Sequence, residues 1–261
     1  MNSSMRSVYE SIRNVYYIFL GQLYSLRVQW FWYFVMMSIS PLSYLFFLHF
    51  YSSPSPNHET IVYSISGAIT SCAVSAAMLS LGQIIGSMRE SNMMEYYATL
   101  PISKGAFISA IALRGIVFSL PSAVIIYVTG AISLDHIMWD NLILLFVAFC
   151  IGSFSMAGLG AIVGFYGRTP QEVSWTTQVI QPLIVLFAPI YLPIDKLPPV
   201  LQVTSKFIPT TYISRAIRYT FGYGELWRYI TDCAILLMLG AIFLIIAVTK
   251  VSWRLTDNDT K

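Results

Sequence analysis

The chain has 261 residues, 56% of them hydrophobic and only 10% charged, with a mean hydropathy of +0.67; soluble domains carry about 25% charged residues, so a water-soluble globular protein is excluded and an integral membrane protein is expected. The net charge of +3 comes with no basic tract interleaved with aromatics outside the apolar stretches, and no nucleic-acid partner is expected. The three cysteines, Cys72, Cys150 and Cys233, are odd in number and fall in apolar stretches, which argues for free thiols packed as small apolar side chains and against a disulfide framework.

At the start of the chain Val8, Ile12, Val15, Tyr16, Phe19, Leu23 and Leu26 recur at helical spacing, with Arg6, Glu10, Arg13, Asn14 and Gln22 on the other face. Residues 1–27 therefore read as an amphipathic helix lying in the membrane interface on the cytosolic side. Glu10 and Arg13 interrupt any apolar core, so a cleavable signal is not expected here. The residues leave two uses open: an anchor that sets the angle at which the chain enters the membrane, or a surface that docks a partner.

Six apolar stretches follow, Val28–Tyr51, Ile61–Met88, Gly105–Leu134, Leu142–Gly167, Val173–Ile194 and Tyr229–Thr249, each near or above the roughly 20 residues that a helix needs to cross a bilayer. The longer ones must tilt or project beyond the membrane. The expectation is an all-α integral membrane protein with a six-span domain over residues 28–250 and a tail over 251–261. Positive charge favours the cytosolic side, and with the N-terminus inside, Arg6, Arg13, Arg27, Arg89, Lys104, Arg168, Lys250, Arg254 and Lys261 are cytosolic. The first two outer connections, SSPSPNHET and the turn from Asp135 to Asn141, carry no Lys or Arg. Both termini are thus expected in the cytosol, with the protein in the cell membrane.

Between the second and third stretches lies RESNMMEYYATLPISK, residues 89–104. Asn92 and Glu95 have the spacing of a capping box and Pro101 disfavours helix at Leu100, which predicts about two turns of helix. A short helix pinned between two spans suits docking on a cytosolic partner, with Met94, Tyr96 and Tyr97 as apolar anchors and Glu90 and Glu95 meeting basic residues.

Ionisable residues within spans are costly, about 2.5 to 3.5 kcal/mol at the centre on insertion scales. Arg114 is followed by the uncharged window Gly115–Leu134, which places it at the cytosolic interface with its guanidinium snorkelling to water. Asp232 and Glu172 read the same way, as interface residues. Pro41, Pro121, Pro182 and Pro189 each remove a backbone hydrogen bond inside a span. Gly152, Gly158, Gly160 and Gly164 offer close helix contact, Gly160 and Gly164 forming a GxxxG whose expected use is packing within one subunit.

The connection 195–228 breaks the charge rule with Lys196, Lys206, Arg215, Arg218 and Arg228. Pro198–Phe207 and Tyr212–Phe221 can each form a short helix, broken at Pro209 and closed by Gly222 and Gly224. Ile213, Ala216, Ile217 and Phe221 make one apolar stripe. A re-entrant hairpin is expected, its stripe in the outer leaflet and Arg215 and Arg218 reaching phosphates or water.

No HExxH, GxSxG, CxxC or GxxxxGK[ST] occurs, and His49, His58 and His136 have no metal-ligand spacing. No catalysis is expected in this chain, and energy from ATP would have to arrive through another polypeptide. Two segments resemble those of type-2 ABC exporter permeases. In the first, a Glu-rich turn leads into a Thr-Leu/Pro-Pro-Ile/Val-Ser motif, matched by Arg89, Glu90, Glu95, Thr99, Leu100, Pro101, Ile102 and Ser103. In the second, a Leu-Pro-rich stretch precedes an Asn-Pro-Leu-Thr-Tyr-like motif and an Arg-containing helix; Pro209, Thr211, Tyr212 and Arg218 match, while Ile208 stands where Asn is usual.

The resemblance covers nearly the whole chain and implies a permease subunit of an ABC exporter: an N-terminal elbow helix, six spans, a cytosolic coupling helix and a re-entrant extracellular hairpin. It implies pairing with a second copy or a paralogue, and two separate ATPase subunits that bind ATP and Mg, with no cofactor in this chain. Arg89, Glu90, Met94, Glu95, Tyr96, Tyr97, Leu100 and Pro101 would couple to the ATPase, and Ile213, Arg215, Ile217, Arg218 and Phe221 would form an outer gate. Membrane lipids are further partners, and the cargo implied is amphipathic, a drug, lipid or glycan. The residues alone also allow a membrane scaffold or assembly subunit; a secondary transporter would call for paired repeats and buried carboxylates. In a cysteine-free background, single cysteines at Ser55 and Asn92 are expected to label from opposite sides of the membrane, and labelling of both from outside intact cells overturns the topology.

Overall fold

The computed structural model describes residues 3–26, 31, 32, 35, 39, 42, 43, 46, 58–91, 93–100, 102–133, 141–167, 169–188, 190, 191, 193, 194 and 198–250. Most of the predicted first span Val28–Tyr51, the connection from Ser52 to Asn57, Asn92, Pro101, Asp135–Asp140, Arg168, Pro189, Asp195–Leu197 and the tail from Val251 lie outside the described residues. Among the described residues all regular structure is helical. Among the described residues four helices are long and apolar enough to cross a membrane, within His58–Glu90, Lys104–Ile132, Leu142–Tyr166 and Leu226–Thr249.

The amphipathic helix forms as α1 (Ser3–Leu26). The second predicted stretch is α2 (His58–Val74), a π-helical turn (Ser75–Leu79) and α3 (Ser80–Glu90), 33 residues of unbroken helix. After the short α4 (Met93–Thr99) come α5 (Lys104–Ser133), α6 (Leu142–Tyr166) and α7 (Pro170–Phe187). The connection 195–228 holds α8 (Pro199–Thr204), a 3₁₀ turn (Ser205–Phe207) and α9 (Pro209–Tyr219), and α10 (Leu226–Lys250) is the last described helix.

Helix α6 is central, packed most extensively against α10 and also against α2, the π turn, α3, α5, α7 and α9. Apolar against apolar gains little when the solvent is lipid, so close approach has to supply the attraction. The glycines of α6 permit it. A Cβ on Gly160 would stand 2.7 Å from Met78 O of the π turn, and one on Gly164 would stand 2.9 Å from Ile85 Cβ of α3. From the other side a Cβ on Gly115 of α5 would meet Ala76 O at 2.5 Å. The π turn is thus wedged between two bare helix surfaces, and the GxxxG serves packing within the chain.

Three expectations are corrected here. The predicted fifth span Val173–Ile194 is the shorter α7. It starts earlier, because Thr169 Oγ1 accepts the Glu172 N–H at 3.1 Å and Pro170 follows the cap. It stops at Phe187, because Ala188 precedes Pro189 and is extended at φ −105 and ψ 141. Second, the chain does break between the two hairpin helices, Ile208 being extended at φ −95 and ψ 121, but the second helix begins at Pro209 and not at Tyr212, because proline suits the first helical position.

The third correction concerns Arg114. It is only 8% exposed, and its Nη1 donates to Gln22 Oε1 of α1 at 2.7 Å. Helix α1 therefore does not merely float on the membrane surface: it packs along α5, with Gln22 buried and Ile18 against the core, and Tyr16 and Tyr24 turned outward. A buried guanidinium needs hydrogen-bond acceptors, and the amide of the neighbouring helix is nearer than water.

Gly160→Leu is expected to destabilise the detergent-solubilised protein by about 1 to 3 kcal/mol or more through overpacking against the π turn. Gly105→Ala, where a Cβ meets nothing within 4 Å, should be neutral within about 0.5 kcal/mol. Thermal unfolding of the two variants beside the parent checks this, and equal effects would refute the packing argument.

Candidate functional site

Two regions gathered the predicted site residues, the loop 89–104 and the hairpin 195–228. They lie at opposite ends of the helix His58–Glu90: α4 follows its last residue, while His58 Nδ1 is 3.0 Å from the Tyr223 hydroxyl beyond α9.

Arg89 anchors the loop. Its Nη1 donates to Phe165 O and Gly167 O, both at 2.6 Å, so it caps the carbonyl end of α6. Met94 is buried in the core, and the half-buried Tyr97 packs its ring 5.0 Å from that of Phe107 on α5. This corrects the assignment of Met94 and Tyr97 as anchors for a partner. In a seven-residue helix, positions three apart share a face: Met94 and Tyr97 take the face toward the bundle, while Met93 and Tyr96, the latter 63% exposed, are left outside. Glu90, Glu95 and Leu100 are also exposed. Ser103 then starts α5, its Oγ accepting the Ala106 N–H at 3.2 Å. Pro101 lies outside the described residues.

In the hairpin, Thr211 Oγ1 donates to Ser205 O at 2.7 Å and the Tyr212 hydroxyl to Lys206 O at 2.6 Å, joining α9 to the 3₁₀ turn. Gly222 and Gly224, at φ 83 and 115, make the left-handed turn that ends α9. The stripe Ile213, Ala216, Ile217 and Phe221 is buried within the protein, not in lipid. Ile213 fills the space over Gly152 of α6, where a Cβ would stand 2.9 Å from its Cγ1, and the Phe221 ring lies 4.7 Å from that of Tyr127. The stripe is one face of α9, and helices α2, α6 and α10 cover it.

The two arginines of α9 differ. Arg215 forms an ion pair with Asp232 of α10 through both Nε, at 2.7 Å, and Nη2. Asp232 is 1% exposed and so is a buried partner rather than an interface residue. Arg218, expected at water or phosphate, is 8% exposed. It lies 4.2 Å over the Tyr63 ring, and its Nη2 donates to Ser214 Oγ at 3.1 Å. Burial pulls its guanidinium down to about 10, which leaves it charged at pH 7. Beside these residues opens a cavity of about 310 Å³, walled by tyrosines of α2, α9 and α10.

Sequence reading passed over a polar seam between α7 and the long helix. Ser71 Oγ meets the Tyr191 hydroxyl at 2.8 Å, Gln181 Nε2 donates to Ser75 Oγ at 2.5 Å, and Gln83 and Gln178 both donate to Ser174 Oγ, at 3.4 and 2.9 Å. The signal was present as Ser174, Gln178 and Gln181 at spacings of four and three. Among the described residues no His, Cys, Asp and Glu cluster suits a metal ion.

Long apolar helices, with a short helix held between two of them, define a multi-pass membrane protein. The family model of the ABC-2 family transporter proteins matches residues 4–249, and the chain belongs to that family. It is a permease subunit of an ABC transporter, a transport chain and not a catalytic one, in a family that works in general with an ABC ATPase. No curated protein matches the chain.

The ion pair supplies a stability test. Arg215→Ala leaves a buried carboxylate uncompensated and is expected to cost about 3 kcal/mol, the low end for a broken buried pair because 43% of the Arg215 side chain is exposed. Asp232→Asn leaves a guanidinium able to reach water and should cost about 1 kcal/mol. Thermal unfolding of both variants measures the difference, and a larger loss for Asp232→Asn would contradict the assigned burial.

Proposed function

We propose that this chain is the permease subunit of an exporter that couples ATP hydrolysis by a separate nucleotide-binding subunit to outward movement of an amphipathic substrate. The observation that carries the reading is the construction of α4. Its inner face, Met94 and Tyr97, is fixed to the bundle, Arg89 ties the loop to α6, and Met93, Tyr96, Glu90 and Glu95 are presented outward. A rigidly mounted helix with an apolar centre and acidic rim suits a groove on an ATPase bearing basic residues.

In this reading ATP and Mg are held by the partner, and the coupling residues of this chain are Arg89, Glu90, Met94, Glu95, Tyr96, Tyr97, Leu100 and Pro101. Arg89, Met94 and Tyr97 act as the mounting and the exposed ones as the contact. The chain has six spans, the four long helices, α7 and the apolar stretch Val28–Tyr51 read from the sequence, lies in the cell membrane and keeps both termini in the cytosol. Two copies, or this chain and a paralogue, flank a pathway. The polar seam supports placing α7 beside it, since amides in a membrane segment are favoured where protein or water can pair with them. The hairpin closes the outer end, with Ile213, Ile217 and Phe221 bracing the gate and Arg215 and Arg218 at its polar side.

Reconstitution with the cognate ATPase tests the coupling. Glu95→Lys and Tyr96→Ala are expected to lower permease-stimulated ATP hydrolysis and transport at least about tenfold, the usual effect of losing an interface anchor, with no change in folding because both side chains are exposed. Met94→Ala should instead lower thermal stability by about 2 kcal/mol or more. Normal stimulation by both exposed-face variants would remove α4 from the interface.

A further inference from the structure

The cavity beside α9 has a charge arrangement that the fold alone does not require. Arg215 and Asp232 neutralise each other. Glu59, Glu225 and Arg228 also line the cavity, and their side chains are exposed to solvent. Arg218 is different: it is buried, it lies on the Tyr63 ring, and among the described residues no carboxylate pairs with it. A guanidinium carries five N–H donors in a planar fork, and here Nη2 takes Ser214 Oγ. The Asp232 carboxylate that acts on Arg218 is already held by Arg215, so the buried guanidinium has no anion in contact among the described residues, and one entering the cavity would stabilise it.

The surroundings narrow the anion. The space of about 310 Å³ is at the small end of ligand sites, the size of a headgroup and not of a whole lipid. Its tyrosine walls are amphipathic, apolar on the ring and polar at the hydroxyl. Trp227 at the start of α10 and Phe207 at the tip of the hairpin are exposed, and exposed aromatics at the end of a span suit the boundary between membrane and water. Phosphate esters are the anions concentrated at that level, and the guanidinium fork matches phosphate oxygens.

We propose that this cavity binds a phosphate ester, with Arg218 as the group that recognises it and the tyrosines as its walls. The ester can come from a membrane lipid headgroup or from a soluble phosphate compound. The site is independent of the coupling reading, because binding is measured on the isolated chain without an ATPase.

The test follows the thermal midpoint of the purified full chain in detergent during titration with phosphatidylglycerol, with phosphate-free diacylglycerol and with glycerol 3-phosphate. The proposal expects a saturable rise with phosphatidylglycerol and none with diacylglycerol. A matching rise with glycerol 3-phosphate assigns a soluble source, and its absence assigns the lipid. Arg218→Gln should raise the half-maximal concentration at least about tenfold, the usual worth of a charged hydrogen bond. If that variant does not fold, Arg218→Lys keeps the buried charge but not the fork, and the same direction of change is expected. The proposal is overturned by no rise with either phosphate compound in the parent chain, by equal rises with phosphatidylglycerol and diacylglycerol, or by unchanged half-maximal concentrations in the folded variants.

Discussion

The architecture depends on how closely α6 can approach the helix His58–Glu90. In water, burial of apolar surface would draw these helices together almost regardless of detail. Among lipid tails that force is weak, and attraction falls to van der Waals contact and a few hydrogen bonds. Gly160 and Gly164 supply the first by bringing α6 against the π turn and α3. Polar groups supply the second where helices cross: Arg114 with Gln22, Arg89 with the last carbonyls of α6, Arg215 with Asp232, and the serine and glutamine pairs along α7. Arg89 ties the central pair together and the serine and glutamine pairs join α7 to it, while Arg114 and Arg215 join outer helices to one another. Apolar residues fill the remaining volume, and polar ones fix which helix lies beside which.

That division explains what was legible in the sequence. Runs such as Leu142–Gly167 are visible because crossing a membrane demands length and apolarity, and α6 ends within one residue of the expectation. The helix in the loop 89–104 was visible because Pro101 limits it on one side. Proline holds two roles at once: Pro209 marks the break between the two hairpin helices and also starts the second, three residues before Tyr212. The π turn Ser75–Leu79 had no signal, because SAAML suits an ordinary helix and its widening depends on the glycines that face it from α5 and α6.

The errors about surroundings share one cause. Ile213, Ile217 and Phe221 were recognised as an apolar face, and Arg114 and Asp232 as charges near span ends, but a pattern along one helix states what its neighbour must be like and not which neighbour it is. Lipid and a second helix satisfy an isoleucine equally. Water, Gln22 and Arg215 are likewise interchangeable until the packing is known. Met94 and Tyr97 were separable from Met93 and Tyr96 by spacing, yet the direction of the bundle relative to α4 is a tertiary fact.

Helix α6 has a mechanical property that follows from what holds its two ends. At its last turn Arg89 grips Phe165 O and Gly167 O with a single nitrogen; ten residues from its start, Gly152 receives Ile213 of α9. Between these fixtures, from Gly152 to Tyr166, runs uninterrupted α-helix without proline, about 21 Å long at 1.5 Å per residue. A straight helix of that length behaves as a strut and not as a spring. A tilt imposed on the loop is therefore delivered to α9 as a displacement on the far side of the bundle, with no side-chain relay in between.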